Sequence, residues 1–315
     1  MTSVRRVSSL DLNNSHPHSV ISYIGGKSQL IPNIVPIITY AANTYGLSKY
    51  YELCGGGARM LLNMPVTLFE HRVYNDLDLG LCKLFACLGD KRYLYDLMAL
   101  LEDLGCSEEV FLQAKHAREF ETRMLARGRV ECELDRVLAA AYTFILAMQS
   151  RAADMNTFDN NRVRDRKRLR SYFKRVHQLD RFFPTLKDVE ITHGDCLELL
   201  DWVGSRGDSF AYIDPPYIPD SMVNENHYGE RSWVLEDHVN LVNKLLFTNM
   251  KVALSGYDND CYDRLIKAGW QRLYLKNVHV SSSASGRRKQ EYIWINFPIP
   301  YSLIEEVSLI DYIEY

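Results

Sequence analysis

Residues 209–220 read SFAYIDPPYIPD, an apolar run that favours a β-strand and ends in an acid, two prolines and an aromatic ring. Proline cannot donate to a strand ladder, so a single proline is enough to stop the strand. That does not account for an acid before two prolines and a tyrosine after them. Pro215 and Pro216 fix φ, so the carboxylate of Asp214 and the carbonyl of Pro215 can be held pointing into one cleft. Both groups are hydrogen-bond acceptors, a combination that suits an exocyclic –NH₂. Tyr217 offers a flat face for a base carrying that amine. Asp214, Pro215, Pro216 and Tyr217 are therefore the candidate catalytic set.

Two other features could hold a small molecule. Gly55, Gly56 and Gly57 follow a strand-like YYELC and precede a helix-like ARMLLN. A tight glycine turn there lets a ligand approach the backbone and the positive end of a helix, although a purely structural turn reads the same way. Asp76 ends the next strand-like segment about 20 residues beyond the glycines, where an acid usually bonds ribose hydroxyls. NDLD equally suits a helix N-cap. Together the two features favour an adenosine-containing cofactor without separating NAD from S-adenosylmethionine; the Asp-Pro-Pro-Tyr tetrapeptide favours the latter. GGKS at 25–28 is no P-loop, because Ile21 stands where that motif needs glycine.

The segments around these residues alternate between strand and helix patterns. VISYI (20–24) is β-prone and an apolar stretch to about Ala42 suits a helix despite Pro32 and Pro36. HRVYND is a strand followed by the helical LDLGLCKLFACL. From about Arg92 to Phe183 the pattern is helical and charged. Leu134, Val137, Leu138, Ala141, Phe144, Ile145 and Met148 make one apolar helix face there. Strand–helix alternation then resumes with DVEITHGD, SFAYID and KVALSGYD, and QRLYLKNV and EYIWINF form a closing hairpin around SSSASGRRKQ. Such alternation predicts a parallel sheet interrupted by a helical block.

The 315-residue chain is long enough for a large domain with an insertion, and 47% hydrophobic content is ordinary for a chain with a real core. No apolar run approaches the ~18 residues of a membrane span. Residues 1–19 read as a polar leader. Seven scattered cysteines without zinc spacing predict free thiols, a reducing cytoplasm and no metal. The net charge of −3 argues against a general polyanion binder. Its distribution is uneven: Arg162, Arg164, Arg166, Lys167, Arg168, Arg170, Lys174 and Arg175 are opposed only by Asp165. This patch suits phosphates, with a solvated helix face as the alternative. Asn156, Asn160 and Asn161 precede it and can read base edges, and Arg287, Arg288 and Lys289 add charge at the hairpin tip. The polar stretch 218–232 is long enough to close over a ligand.

The ordered set YIGGK, ELCGGGARMLLN, YNDLD, helical block, HGDCLELL, FAYIDPPY, KVALSGYD and SGRRKQEYIWIN resembles the Dam-type adenine-N6 DNA methyltransferases over roughly residues 20–297. The resemblance implies an α/β fold, a Rossmann-like S-adenosylmethionine-dependent methyltransferase sheet with an inserted helical target-recognition domain. Residues 20–91 and 184–315 would form the catalytic domain and 92–183 the insertion. It implies that Tyr23 and Lys27 line the cofactor pocket and that Glu52, Gly56 and Gly57 bracket the methionine part of S-adenosylmethionine. Asp76 would hold the ribose, Asp195 and Cys196 would flank the adenine ring, and Asp214, Pro215 and Tyr217 would hold the target base. The expected partner is double-stranded DNA, met in the cytoplasm by a monomer or weak dimer of bacterial or phage-encoded origin, within a restriction-modification setting.

The family turn reads acid-Pro-Phe-x-Gly-x-Gly; here Leu53-Cys54 replaces Pro-Phe and Ala58 replaces the last glycine. The reaction implied is in-line methyl transfer to N6 of a flipped-out adenine. Cytosine-N4 methylation is the nearest alternative, although those enzymes more often carry serine at the position of Asp214. RNA or protein amide methylation would favour asparagine there. A DNA-binding relative without catalysis is the alternative from another class.

Overall fold

A computed structural model describes residues 19–23, 28–217, 233–279 and 288–309. Lys27, Arg287, the 218–232 stretch and the leader residues 1–18 lie outside the described residues. The described strands form one seven-stranded sheet: β1 (Lys49–Glu52), β2 (His71–Asp76), β3 (Val189–His193), β4 (Ser209–Ile213), β5 (Lys251–Tyr257), β6 (Gln271–His279) and β7 (Arg288–Ile295). Their order is β3-β2-β1-β4-β5-β7-β6. The first five run parallel, and β7 pairs antiparallel with both β5 and β6.

Strand residues alternate between two cores. Tyr50, Phe210, Tyr212 and Ala253 face one hydrophobic cluster, whereas Tyr51, Ala211, Ile213, Val252 and Leu254 face the other. Burial on both sides is what a period-2 side-chain pattern gives when helices cover both faces of a parallel sheet. The first cluster takes in α1 (Ile31–Tyr45) and, between β2 and β3, α2 (Leu79–Leu88), α3 (Lys91–Leu104), α4 (Glu108–Leu125) and α5 (Arg136–Gln149). That connection also contains α6 (Asn161–Arg164), α7 (Arg166–Val176) and α8 (Phe183–Leu186). The second cluster is covered by α9 (Cys196–Val203), α10 (Leu235–Leu245) and α11 (Asp263–Lys267). A last helix, α12 (Tyr301–Leu309), returns to the first cluster, where the Asn33 side chain donates to the Val307 carbonyl.

Helix starts follow the acids and hydroxyls available. Asp78, Asp90, Ser107, Asp135, Asp165 and Asp195 cap α2, α3, α4, α5, α7 and α9 by accepting from first-turn amides. Each such cap is worth about 1 kcal/mol.

Two local expectations change. Residues 20–23 are not a strand: Val20 and Ile21 are buried, but this segment is held by side chains rather than a ladder. Arg175 donates to the Ser19 carbonyl, Arg59 to the Ile21 carbonyl at 2.9 Å, and the Ser22 amide to the Met148 sulfur at 3.4 Å. ARMLLN folds as successive turns instead of a regular helix, because the Leu61 amide is taken at 2.7 Å by the Glu52 carboxyl. The apolar stripe from Val137 to Met148 lies on a core helix, as its periodicity implies: every residue from Ala139 to Gln149 is buried, and α5 packs against α2, α3 and α4.

Candidate active site

The chain leaves β1 toward β2 and β3, and leaves β4 toward β5, so the strand order reverses between β1 and β4. In doubly wound sheets the crevice at such a reversal, outside the strands' carboxyl ends, is where ligands bind. The pairings Glu52↔Tyr74, Glu52↔Tyr212 and Asp76↔His193 bring those ends level. Residues 53–57, Asp76, Gly194–Cys196 and Asp214–Tyr217 therefore leave the sheet along one edge. Asn75, buried on β2, ties it together by donating to the Leu53 and Gly194 carbonyls, each at 3.0 Å.

The glycines form a turn pinned on all sides. The Gly55 amide donates to the Asn75 carbonyl at 2.8 Å, the Gly56 amide to Asp76 Oδ2 at 2.7 Å, and Tyr74 Oη to the Gly56 carbonyl at 2.8 Å. Side chains are excluded: a Cβ on Gly55 would lie 2.1 Å from the Tyr74 ring, and one on Gly56, at φ +47°, 2.9 Å from the Tyr23 ring. No side chain stands on the turn, and the space a Cβ would need at Gly55 and Gly56 is already filled by the Tyr74 and Tyr23 rings, so packing within the protein itself requires glycine there. Ala58 is buried with φ +53°, the left-handed conformation that favours glycine.

The acids are placed differently from one another. Asp76 anchors the turn and also accepts from the Asp78 amide at 2.7 Å, while Asp78 caps α2; the strand-end acid and the cap are thus separate residues. Asp195 caps α9, accepting from the Leu197 amide at 2.6 Å. Glu52 is buried and accepts from Tyr50 Oη at 3.0 Å and the Leu61 amide, and burial pushes its carboxyl up to about 8. The neighbouring Cys196 thiol and burial raise the Cys54 thiol well above the usual thiol range.

At the end of β4, Asp214 Oδ1 accepts from Ser255 Oγ at 2.9 Å, and Ser255 Oγ lies 2.9 Å from Tyr212 Oη. Tyr217 Oη donates to Glu291 Oε1 at 2.5 Å and stands 3.3 Å from Asp214 Oδ1. Burial, then the charges of Asp214 and Glu291, raises the Tyr217 phenol well above its ordinary value. Ser255, Glu291, Tyr212 and Asn75 were not among the residues singled out from the sequence. SGYD and QEYIWIN were visible as motifs, but nothing local tells which face or neighbour their side chains meet.

Of the sequence-derived candidates, Tyr23, Glu52, Gly56, Gly57, Asp76, Asp195, Cys196 and Asp214–Tyr217 gather at this edge. The basic set lies on α6 and α7, where Arg164, Arg166, Lys167 and Arg170 are exposed. Arg168 is already paired, 2.8 Å from Asp159 and 3.9 Å from Asp165. The side chains of Arg162 and Arg288 lie outside the described residues, and Asn156, Asn160 and Asn161 are exposed. Among the described residues, no cluster of three His, Cys, Asp or Glu could hold a metal, and no helix is long and apolar enough to cross a membrane. Arg59, next to the turn, has no carboxylate partner among the described residues; burial and the neighbouring Arg175 lower its guanidinium to about 10.

One curated relative, the modification methylase StsI of Streptococcus sanguinis, is 21% identical over 248 residues, 75% of this chain and 35% of the relative. The chain thus spans about a third of that relative's length. The model of the D12 class N6 adenine-specific DNA methyltransferases matches residues 23–280, which contain the glycine turn, the helices between β2 and β3, and the Asp214–Tyr217 tetrapeptide. With most of its length inside that match, the chain belongs to the D12 class N6 adenine-specific DNA methyltransferase family.

Proposed function

We propose that the protein methylates N6 of an adenine flipped out of double-stranded DNA, using S-adenosylmethionine. The observation that carries this reading is Asp214, held by Ser255 at the strand-order reversal and followed by two prolines and a ring fixed through its hydroxyl. S-adenosylmethionine supplies an electrophilic methyl group when bound. The residues at the sheet edge fit such a donor. The glycine turn admits backbone contact, Asp76 would bond the ribose hydroxyls, and the Cys54–Cys196 pair would meet the face of the adenine ring. The Arg59 guanidinium answers a carboxylate.

An aromatic amine is a poor nucleophile because its lone pair is delocalised into the ring. Asp214 and the Pro215 carbonyl accept its hydrogens and favour the tetrahedral nitrogen on which positive charge develops in the transition state. Asp214 need not remove a proton before attack, because the surplus proton of the methylated amine leaves after the methyl group has been transferred. Flipping the base costs a few kcal/mol, which stacking on Tyr217 partly offsets. We assign residues 20–91 and 184–315 to catalysis and 92–183 to target recognition, with the exposed cations of α6 and α7 on phosphates. The modification arm of a restriction-modification pair is the setting this activity suits.

Incubating the protein with labelled S-adenosylmethionine and mixed-sequence DNA, then separating the nucleosides, tests the reading. The expected product is N6-methyladenine; N4-methylcytosine, or no product, overturns it. Asp214→Ala is expected to abolish transfer and leave donor binding measurable by equilibrium dialysis.

A further inference from the structure

Glu291 is a carboxylate only 1% exposed, on a strand that enters the sheet near the end of the chain. Removing a carboxylate from water costs several kcal/mol, so a buried one is poor evidence of added stability. The direction of its hydrogen bond is more informative. In the antiparallel pairing of β5 and β7, Glu291 stands opposite Tyr257, and opposed residues share a sheet face. Ser255 lies two residues from Tyr257 on β5 and so shares that face too. All three meet the Asp214–Tyr217 tetrapeptide. Ser255 Oγ donates to Asp214 Oδ1 at 2.9 Å, the Tyr257 ring lies 4.2 Å from the Tyr217 ring, and Glu291 Oε1 accepts from Tyr217 Oη at 2.5 Å. The carboxylate and the ring of the tetrapeptide are thus gripped separately, from one face of two neighbouring strands.

We infer that Glu291 is a positioning residue for the methyl-transfer reaction, holding the Tyr217 hydroxyl so that the ring keeps a fixed orientation beside Asp214. This rests on the methyltransferase reading of the site. A phenol ring anchored only by packing can swing about its side-chain torsions. Anchored also at its hydroxyl, it presents one plane to an incoming base, and small misplacements of a substrate are costly to rate.

The test measures kcat, KM for plasmid DNA and the Kd of labelled S-adenosylmethionine in wild type, Glu291→Ala, Glu291→Gln, Tyr217→Phe and the double variant Tyr217→Phe/Glu291→Ala. Glu291→Ala is expected to lower kcat by about 10- to 100-fold, with the donor Kd within about twofold. Glu291→Gln retains an acceptor for the hydroxyl and should recover most of that loss. Tyr217→Phe removes the same bond from the other end, so the double variant should be no slower than the worse single one. A Glu291→Ala enzyme with unchanged kcat, or losses that multiply in the double variant, overturns the inference while leaving the site reading intact. If Glu291→Ala does not fold, Glu291→Gln against Tyr217→Phe decides: equal large losses in both overturn the rescue that the role demands. A wild-type protein that forms no N6-methyladenine overturns the site reading, and the role of Glu291 with it.

Discussion

The Glu52 carboxyl is 2% exposed, and burial raises its pKa from 4.5 to about 8. Below pH 4.5 it is protonated in the folded and unfolded chain alike. Between 4.5 and 8 only the unfolded chain ionises, so the stability this group supplies falls as pH rises through that window. At roughly 1.4 kcal/mol for each tenfold change in acidity, the loss amounts to a few kcal/mol. Glu52→Gln should flatten the slope, which urea denaturation at pH 5 and pH 8 would measure; an unaltered slope would assign the pH dependence to other groups. At the turn, Ala58→Gly relieves a left-handed backbone worth about 1–2 kcal/mol. It also gives up a buried methyl of about 0.8 kcal/mol and adds unfolded-state freedom of about 0.5–1 kcal/mol. The net change should stay within about 1 kcal/mol, which explains why this chain tolerates alanine where the family pattern has glycine. Gly55→Ala has no such balance: its Cβ would lie 2.1 Å from the buried Tyr74 ring, so a loss of about 3 kcal/mol is expected in the same urea series.

At the scale of elements, the site depends on strand ends that are tied sideways. Asn75 bonds the carbonyls of Leu53 and Gly194, and its Oδ1 accepts from the Thr192 hydroxyl at 2.9 Å. Asn75→Leu leaves the buried Leu53 carbonyl and the part-buried Gly194 carbonyl short of a donor and should cost about 2–4 kcal/mol. Because it frees the ends of β1 and β3, donor affinity should fall as well, read as the Kd of labelled S-adenosylmethionine. A stable variant with unchanged Kd would show that the edge does not need the tie. The helices from α2 to α5 are bound just as closely. Arg118 on α4 bonds Asp78, the cap of α2, and buried Lys83 on α2 reaches Glu121 on α4 at 3.1 Å. The first turns of the helical block are thus continuous with the acid-bearing end of β2. Strands were legible because period 2 and β-branched or aromatic residues are local signals. ARMLLN misled because its helical composition says nothing of a buried glutamate nine residues upstream claiming the Leu61 amide.

For the whole molecule, a net charge of −3 coexists with exposed cations concentrated on α6 and α7. On the proposed reading they meet phosphates, and each lost phosphate contact should lower the slope of log K against log salt by about 0.9. Replacing Arg164, Arg166, Lys167 and Arg170 with glutamine should flatten that slope with the donor Kd unchanged. A slope equal to wild type would make α7 a solvated face. Arg168 is left out of the set because Asp159 and Asp165 already engage it.

Much of this protein is written in local order. Alternating strand and helix patterns, capping acids, a three-glycine turn and Asp-Pro-Pro-Tyr determine the fold class and the candidate tetrapeptide, because each acts over a few residues through fixed backbone periods. Which distant groups complete the site was decided only by tertiary structure. Ser255 and Glu291 lie 41 and 74 residues beyond the groups they hold. They reach them because β5 lies beside β4 and β7 pairs with β5 in one register. Strand order and register come from the burial of two whole faces against helices, a balance no short stretch of sequence contains.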